Sequence, residues 1–287
     1  MPRPAAPRLA ATFAITAGAL FMFALDRLIV VTALPDIQRD LGASLQALEW
    51  TVSAYTLTFT VLLLAGAALG DRFGRRRMFT AGRALFTAGS AAAALAPTAA
   101  ALVAARALQG VGGSLIAPLS LTILSAATPA ARRGAVLGAW GAVAAAAAAT
   151  GPVVGGVLAG AASWHWIFWL NVPVGLALIP LARRGLDESH GPHGRLDLTG
   201  IALSGTALLM LVWGLVEAGR SGWSDPPVLS TLFAGIVGLA AFAAWERQAP
   251  APMLPLRFFR RPRSRPAAPP RCSATSPCSA RCSRSAS

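Results

Sequence analysis

Asp26, in Leu25-Asp26-Arg27-Leu28, and Arg106, in Ala104-Ala105-Arg106-Ala107-Leu108-Gln109-Gly110, stand inside long apolar stretches of this 287-residue chain. An ionised side chain in hydrocarbon costs roughly 3 kcal/mol even by the lower estimates, so it must face a cavity or a partner. A third concentration of chemistry is Gly70-Asp71-Arg72-Phe73-Gly74-Arg75-Arg76-Arg77, where charges surround a glycine that permits a tight turn. No histidine lies well inside an apolar stretch, and no nucleophile–base pair or metal-ligand set is apparent, which argues against an enzyme. His190 and His193 fall in a polar stretch and read as solvated loop residues, since a metal site needs more ligands rigidly held. The three cysteines, Cys272, Cys278 and Cys282, lack the tighter paired spacing of zinc sites and read as incidental thiols. No cofactor is implied.

The elements that position these residues follow from the distribution of charge. Charged residues make up 13% of the chain against 55% hydrophobic, where a soluble domain carries about a quarter charged. The charges cluster between apolar runs of about 20 residues, the length that crosses a bilayer. The expectation is an all-α polytopic membrane bundle with eight spans, at 9–34, 48–69, 78–96, 99–126, 134–161, 164–182, 198–216 and 228–245. Pro35-Asp36 is expected to end the first span, Gly70-Asp71-Arg72 the second, Pro97 the third and Pro129 with Arg132 and Arg133 the fourth. Trp164, Trp166 and Trp169 fit an interfacial aromatic belt, as do Trp50 and Trp223 at other span ends. The first apolar stretch continues past Asp26 and Arg27 to Leu34, so it reads as a retained span and not as a cleaved signal peptide.

Eight spans with the N-terminus in the cytoplasm put almost every arginine on one side. Arg3, Arg8, Arg72, arginines 75–77, Arg132, Arg133, Arg183, Arg184, Arg195 and Arg247 gather there, leaving only Arg39 and Arg220 opposite. That asymmetry predicts both termini inside a multi-pass plasma-membrane protein, and it explains the net charge of +14 without nucleic acid. The organisation reads as a six-helix bundle over 1–182, a cytoplasmic linker at 183–197, a helix pair over 198–246 and a basic, disordered tail from 247 to 287. The first and fourth spans run in opposite directions, which brings Asp26 and Arg106 to the same outer-half depth. An ion pair between them is physically possible. Arg27 as a local partner of Asp26, and snorkelling of Arg106 to a membrane face about two turns away, remain open at this point.

Four motifs, in order, resemble the major facilitator superfamily over about residues 9–261. Asp71, Arg72, Gly74, Arg75 and Arg76 match its Asp-Arg-x-Gly-Arg-Arg loop between spans two and three, although Ala67 replaces the leading glycine and Gly66 comes one position early. Leu102, Arg106, Gln109, Gly110 and Gly112 match its span-four pattern Leu-x3-Arg-x2-Gln-Gly-x-Gly. Residues 25–35 resemble the Leu-Asp-x-x-Ile-Val-x-x-Ala-Leu-Pro signature of the fourteen-span drug:proton antiporters. Gly151, Pro152, Gly155 and Gly156 match the Gly-Pro-x-x-Gly-Gly antiporter motif of span five, where glycines offer a packing face and Pro152 removes a helix hydrogen bond. The resemblance implies roles in proton coupling for Asp26 and Arg106 and a gating latch at the Asp71–Arg76 loop. It implies protons and small amphipathic compounds as partners in the bilayer, with efflux as the family role.

The chain supplies the equivalent of a first six-helix half and the inserted helix pair. Leu254, Leu256, Arg257, Phe258, Phe259, Arg260 and Arg261 resemble the approach to a ninth span, but none follows. The Arg/Ser/Cys-rich ending is what translation of a GC-rich gene in the wrong frame produces, so a truncated or frameshifted product is expected. Transport by the chain alone is then in doubt, and the alternative is a non-transporting membrane subunit that self-associates or binds a second-half partner.

Overall fold

A computed structural model of the chain describes residues 6–161, 163–191 and 197–248. The expected tail disorder, the three cysteines, His193 and Arg195 lie outside the described residues. Nine α-helices follow in order among the described residues: α1 (Ala6–Leu41), α2 (Leu45–Phe73), α3 (Arg75–Ala94), α4 (Ala99–Ala127), α5 (Arg133–Ala161), the short α6 (His165–Trp169), α7 (Asn171–Gly185), α8 (Leu198–Ser221) and α9 (Pro226–Gln248). A 3-10 turn, Ala130–Arg132, joins α4 to α5, and α6 with α7 forms one span over His165–Gly185. Seven of the resulting helical segments are long and apolar enough to cross a membrane. The exception is α3, the third expected span, whose 20 residues include Arg75, Arg76, Arg77 and Arg83. It is nonetheless enclosed by α2, α4 and α7.

The surface is apolar and the interior partly polar, the reverse of a soluble protein. Val153, Val157, Leu176, Leu215, Phe233 and Ile236 are exposed, while Asp26, Arg83, Arg106, Gln109, Ser90 and Asn171 are buried. The helices cross closely because small residues line their contacts. A Cβ at Gly110 would strike Thr58 and the Tyr55 carbonyl on α2, and one at Gly112 would meet the Phe86 backbone of α3. The α8–α9 pair packs on itself through Gly214 against Leu232 and Gly235 against Leu211. It leans on α2, with the Trp50 and Trp213 rings 5.1 Å apart. Asp197 caps α8 through the Gly200 N–H at 2.9 Å and accepts from Trp245 Nε1 at 2.8 Å, which ties the start of α8 to the end of α9.

Several expectations are corrected. Pro35 lies inside α1, which runs six residues further to Leu41. The missing N–H forfeits one hydrogen bond, and Asp36 pairs with Arg39 on the next turn. The second helix stops at Gly74 and not at Gly70-Asp71-Arg72. Trp164 is not an interfacial ring: it is buried, and its Nε1 donates to Asp40 Oδ2 at 2.9 Å. Trp166, by contrast, is exposed as a belt residue would be. Of the span-five motif, Gly151 and Gly155 meet α1, whereas Pro152 and Gly156 are exposed on another side of α5. The 3.6-residue period separates them: Gly155 falls on the Gly151 stripe and Gly156 does not.

This difference yields a prediction. A Cβ at Gly155 would sit 2.8 Å from the Ile29 carbonyl and collide with Thr32, while Gly156 has open space. Gly155→Val therefore forces α1 and α5 apart and lowers stability by about 1–3 kcal/mol, whereas Gly156→Val stays within about 0.5 kcal/mol of wild type. Thermal unfolding of the two variants in the same detergent compares them directly.

Candidate functional site

Two apolar clusters fill the interior, one on each side of a polar layer. Ile29, Ala33, Leu48, Ala93, Leu102, Ile167 and Phe168 belong to one, and Ile15, Phe79, Phe86, Leu119, Ile123 and Ala182 to the other. Between them Asp26 projects from α1 and Arg106 from α4, with Nη1 of the arginine 2.5 Å from Oδ2 of the acid. Their side chains are 0% and 1% exposed, so Arg106 does not snorkel and the two charges neutralise each other in the interior. Oδ1 of Asp26 accepts from Asn171 Nδ2 at 2.7 Å and from Gln109 Nε2 at 3.2 Å. Every contact to this carboxylate comes from a donor, the environment of an ionised, acceptor-only group.

Arg106 is held as firmly. Its Nε donates to the Thr51 carbonyl at 3.2 Å, and Nη1 also meets Gln109 Oε1 at 3.0 Å. The guanidinium lies 4.3 Å from the centre of the Tyr55 ring, with Phe168 further off. Gln109 completes the network by donating to Ser90 Oγ at 2.8 Å. The layer thus joins α1, α2, α3, α4 and α7 through one ion pair. A charge removed from it leaves the other unpaired in a dry interior, a loss of about 3–5 kcal/mol. Arg27 points elsewhere: it is exposed, 6.0 Å from the Phe59 ring.

A second polar constellation forms at the arginine-rich end. Gly74, at φ +103°, turns the chain from α2 into α3, a conformation that L side chains rarely adopt. Asp71 Oδ1 pairs with Arg75 Nη2 at 2.8 Å. The segment after α7 docks onto this turn. The Arg75 N–H donates to the Ser189 carbonyl and the Gly191 N–H to the Asp71 carbonyl, both at 2.9 Å. Glu188 Oε1 accepts from the Arg76 N–H at 2.9 Å, capping the start of α3 where a helix favours negative charge. Its other oxygen lies 3.6 Å from Arg76 Nε and 3.7 Å from Arg77 Nε. Arg76 Nη1 also reaches the carbonyls of Arg183 and Leu186. Arg72 lies against its neighbour Phe73. The expected linker is therefore partly structured: α7 extends to Gly185, and 186–191 is fastened to the motif loop.

Of the residues singled out from the sequence, Asp26, Arg106 and Gln109 meet directly. Gly110 supports them by letting α2 approach α4, and Asp71, Gly74, Arg75 and Arg76 share one turn. Asn171, Ser90, Tyr55, Glu188 and Arg83 were not singled out for any role. Arg83 carried a usable signal, a lone arginine inside an expected span. Ser90 looks ordinary until the helices are assembled.

The comparisons with known proteins agree with the fold. The family profile described as Major Facilitator Superfamily matches residues 16–263. The chain belongs to the major facilitator superfamily. It is 38% identical over 251 residues to the tetracenomycin C resistance and export protein of Streptomyces glaucescens, covering 87% of this chain and 47% of that one. It is 39% identical over 240 residues to a puromycin resistance protein of Streptomyces alboniger, covering 83% and 48%. The methylenomycin A resistance protein of Bacillus subtilis is 36% identical over 247 residues, covering 86% and 53%. The chain spans about half the length of these curated relatives. Among solved structures, a peptide transporter in complex with sulfate superposes with a TM-score of 0.61–0.62 at 18% identity, covering 87% of this chain and 55% of that one. The chain is accordingly a polytopic membrane protein of a transporter family and not an enzyme, and its bacterial relatives imply the plasma membrane.

Proposed function

We propose that the protein works in proton-coupled efflux of small, amphipathic, drug-like molecules, with Asp26 and Arg106 as the proton-responsive pair. The observation that carries this reading is the buried Asp26–Arg106 ion pair at 2.5 Å, tied to three other helices by Asn171, Thr51 and, through Gln109, Ser90. Protonation of Asp26 removes the counter-charge of Arg106 and one acceptor site, so a proton entering here loosens the layer that joins the helices. The chemistry needed is an exchange of proton for substrate between two packings of the bundle.

Asp71, Arg72, Gly74, Arg75 and Arg76, with Glu188, form the proposed latch at the arginine-rich end. Its partly exposed ion pairs are individually modest and can open and close within a transport cycle. Gly151 and Gly155 seat α5 against α1, while Pro152 and Gly156 lie on its exposed side. The arginine asymmetry supports cytoplasmic termini, which puts the latch inside and the Asp26 layer in the outer half. In transporters of this architecture the path lies between two halves, so a second six-helix half, supplied by an assembly partner or a second copy, belongs to the proposal.

Proteoliposomes carrying the chain, loaded with puromycin and given an imposed pH gradient, test it. Gradient-dependent efflux that a protonophore abolishes supports the proposal. An inert protein that assembles with itself or with another membrane protein favours the non-transporting subunit.

A further inference from the structure

Arg83 is the largest polar side chain in the interior that the proton-coupling account leaves unused. It is 0% exposed, and none of its three guanidinium nitrogens has a hydrogen-bond acceptor among the described residues. The Phe86 ring lies 5.6 Å from its Cζ, and Asp26 is the carboxylate whose charge reaches it. A cation kept in the interior without an ion-pair partner is costly, so its placement calls for an explanation other than packing.

Its depth supplies one. Arg83 is eight residues along α3 from Arg75, about 12 Å from the arginine-rich end, and Ser90 of the Asp26 layer lies about 10 Å beyond it. Between the two levels sits an aromatic layer. Phe86 is one turn from Arg83, Phe23 is one turn from Asp26, and their ring centroids are 6.4 Å apart. Tyr55 and Phe59 continue the layer at 6.1 and 5.1 Å from Phe23. On α4, Gly113 lets the Phe23 ring press on bare helix, and Gly112 admits the Phe86 backbone. Asp26 therefore faces the arginine-rich end through an apolar aromatic layer backed by a fixed positive charge. A guanidinium has five donors and no acceptor and stays protonated, so it cannot relay a proton. Its charge, little screened in this interior, repels one.

We infer that Arg83 is the electrostatic barrier that keeps Asp26 from exchanging protons with the arginine-rich side through the bundle core, and so prevents a proton leak uncoupled from substrate. The inference rests on Asp26 being the proton site. The charged and titratable groups on the surrounding elements are Asp26 and Arg27 on α1, Tyr55 on α2 and Arg106 on α4. Arg83 is the buried charge on the inner side of the aromatic layer, and Asp71, Arg72, Arg75, Arg76, Arg77, Arg183 and Arg184 lie beyond it at the arginine-rich end.

The test reconstitutes the chain in vesicles with a trapped pH-sensitive dye and drives protons with a potassium diffusion potential, without substrate. Arg83→Leu is expected to leak protons about tenfold faster than wild type, and Arg83→Lys, which keeps the charge, to stay within about twofold of it. Adding Asp26→Asn to Arg83→Leu returns the leak to the wild-type level. The inference is overturned if Arg83→Leu, inserted and folded, is as tight as wild type, if Arg83→Lys leaks as Arg83→Leu does, or if the leak persists without Asp26. Exchanging an unpaired buried cation for an apolar side chain favours folding, and Arg83→Met provides a second apolar variant. Asp26→Asn with Arg83 intact, assayed by efflux, reads the proton site separately, so the two ideas fail independently.

Discussion

Asp26→Asn and Arg106→Ala, each introduced into the transporting assembly, reduce proton-driven efflux to background while membrane insertion is unchanged. Asparagine keeps the size of the side chain and an Oδ1 acceptor for Asn171 and Gln109. It has no ionised form, so the layer no longer answers to a proton. Arg106→Ala removes the partner 2.5 Å away, together with the links to the Thr51 carbonyl and Gln109. Both variants thus lose the same response by opposite routes. Efflux assays in vesicles, with protein amount and orientation matched, measure the effect. Wild-type rates in both variants count against the assigned roles. The same substitutions at the aligned positions of the full-length Streptomyces relatives give a parallel reading in proteins twice as long.

The second large effect is on stability. Asp26→Leu leaves Arg106 buried without a counter-charge, and Arg106→Leu leaves Asp26 in the same state, so each costs about 3–5 kcal/mol. The double variant removes both charges and recovers most of that loss, because an apolar pair of similar volume replaces a desolvated ion pair. The coupling energy of the cycle is therefore large and of one sign. Reversible denaturation in mixed micelles measures all four proteins. Strictly additive losses would mean that the two charges do not compensate each other. Efflux stays absent in the double variant, which separates what the pair does for the fold from what it does for transport.

How much of this was legible in the sequence depends on the distance over which the signal acts. Span length, arginine asymmetry and the position of the Gly74 turn are local, and they identify the bundle. Asp26 and Arg106 were legible as a candidate pair because antiparallel spans convert sequence position into depth. Depth does not specify rotation about the helix axis, however, and only the packed bundle shows that the two meet. Arg83 obeys the rule that singled out Arg106, yet it sits among small residues in a span that begins with three arginines, and no motif marks it. Glu188 was illegible for a different reason. Its role depends on 186–191 folding back on the start of α3, a contact across more than a hundred residues. Pro35 misled because one missing hydrogen bond does not end a helix that has packing on both sides of it. Trp164 misled because an aromatic residue at a span end is as able to fill the interior, given Asp40 as a partner for its N–H.

The central claim is that the buried Asp26–Arg106 pair binds the coupling proton. The most direct measurement is an infrared pH titration of the reconstituted chain, comparing wild type with Asp26→Asn in the region of the protonated-carboxyl stretch. It needs neither substrate nor a second half. The account predicts a band from a buried protonated carboxyl that grows on acidification in the wild type and is missing from Asp26→Asn. The same band in Asp26→Asn, or none in the wild type at any pH where the protein stays folded, would contradict it.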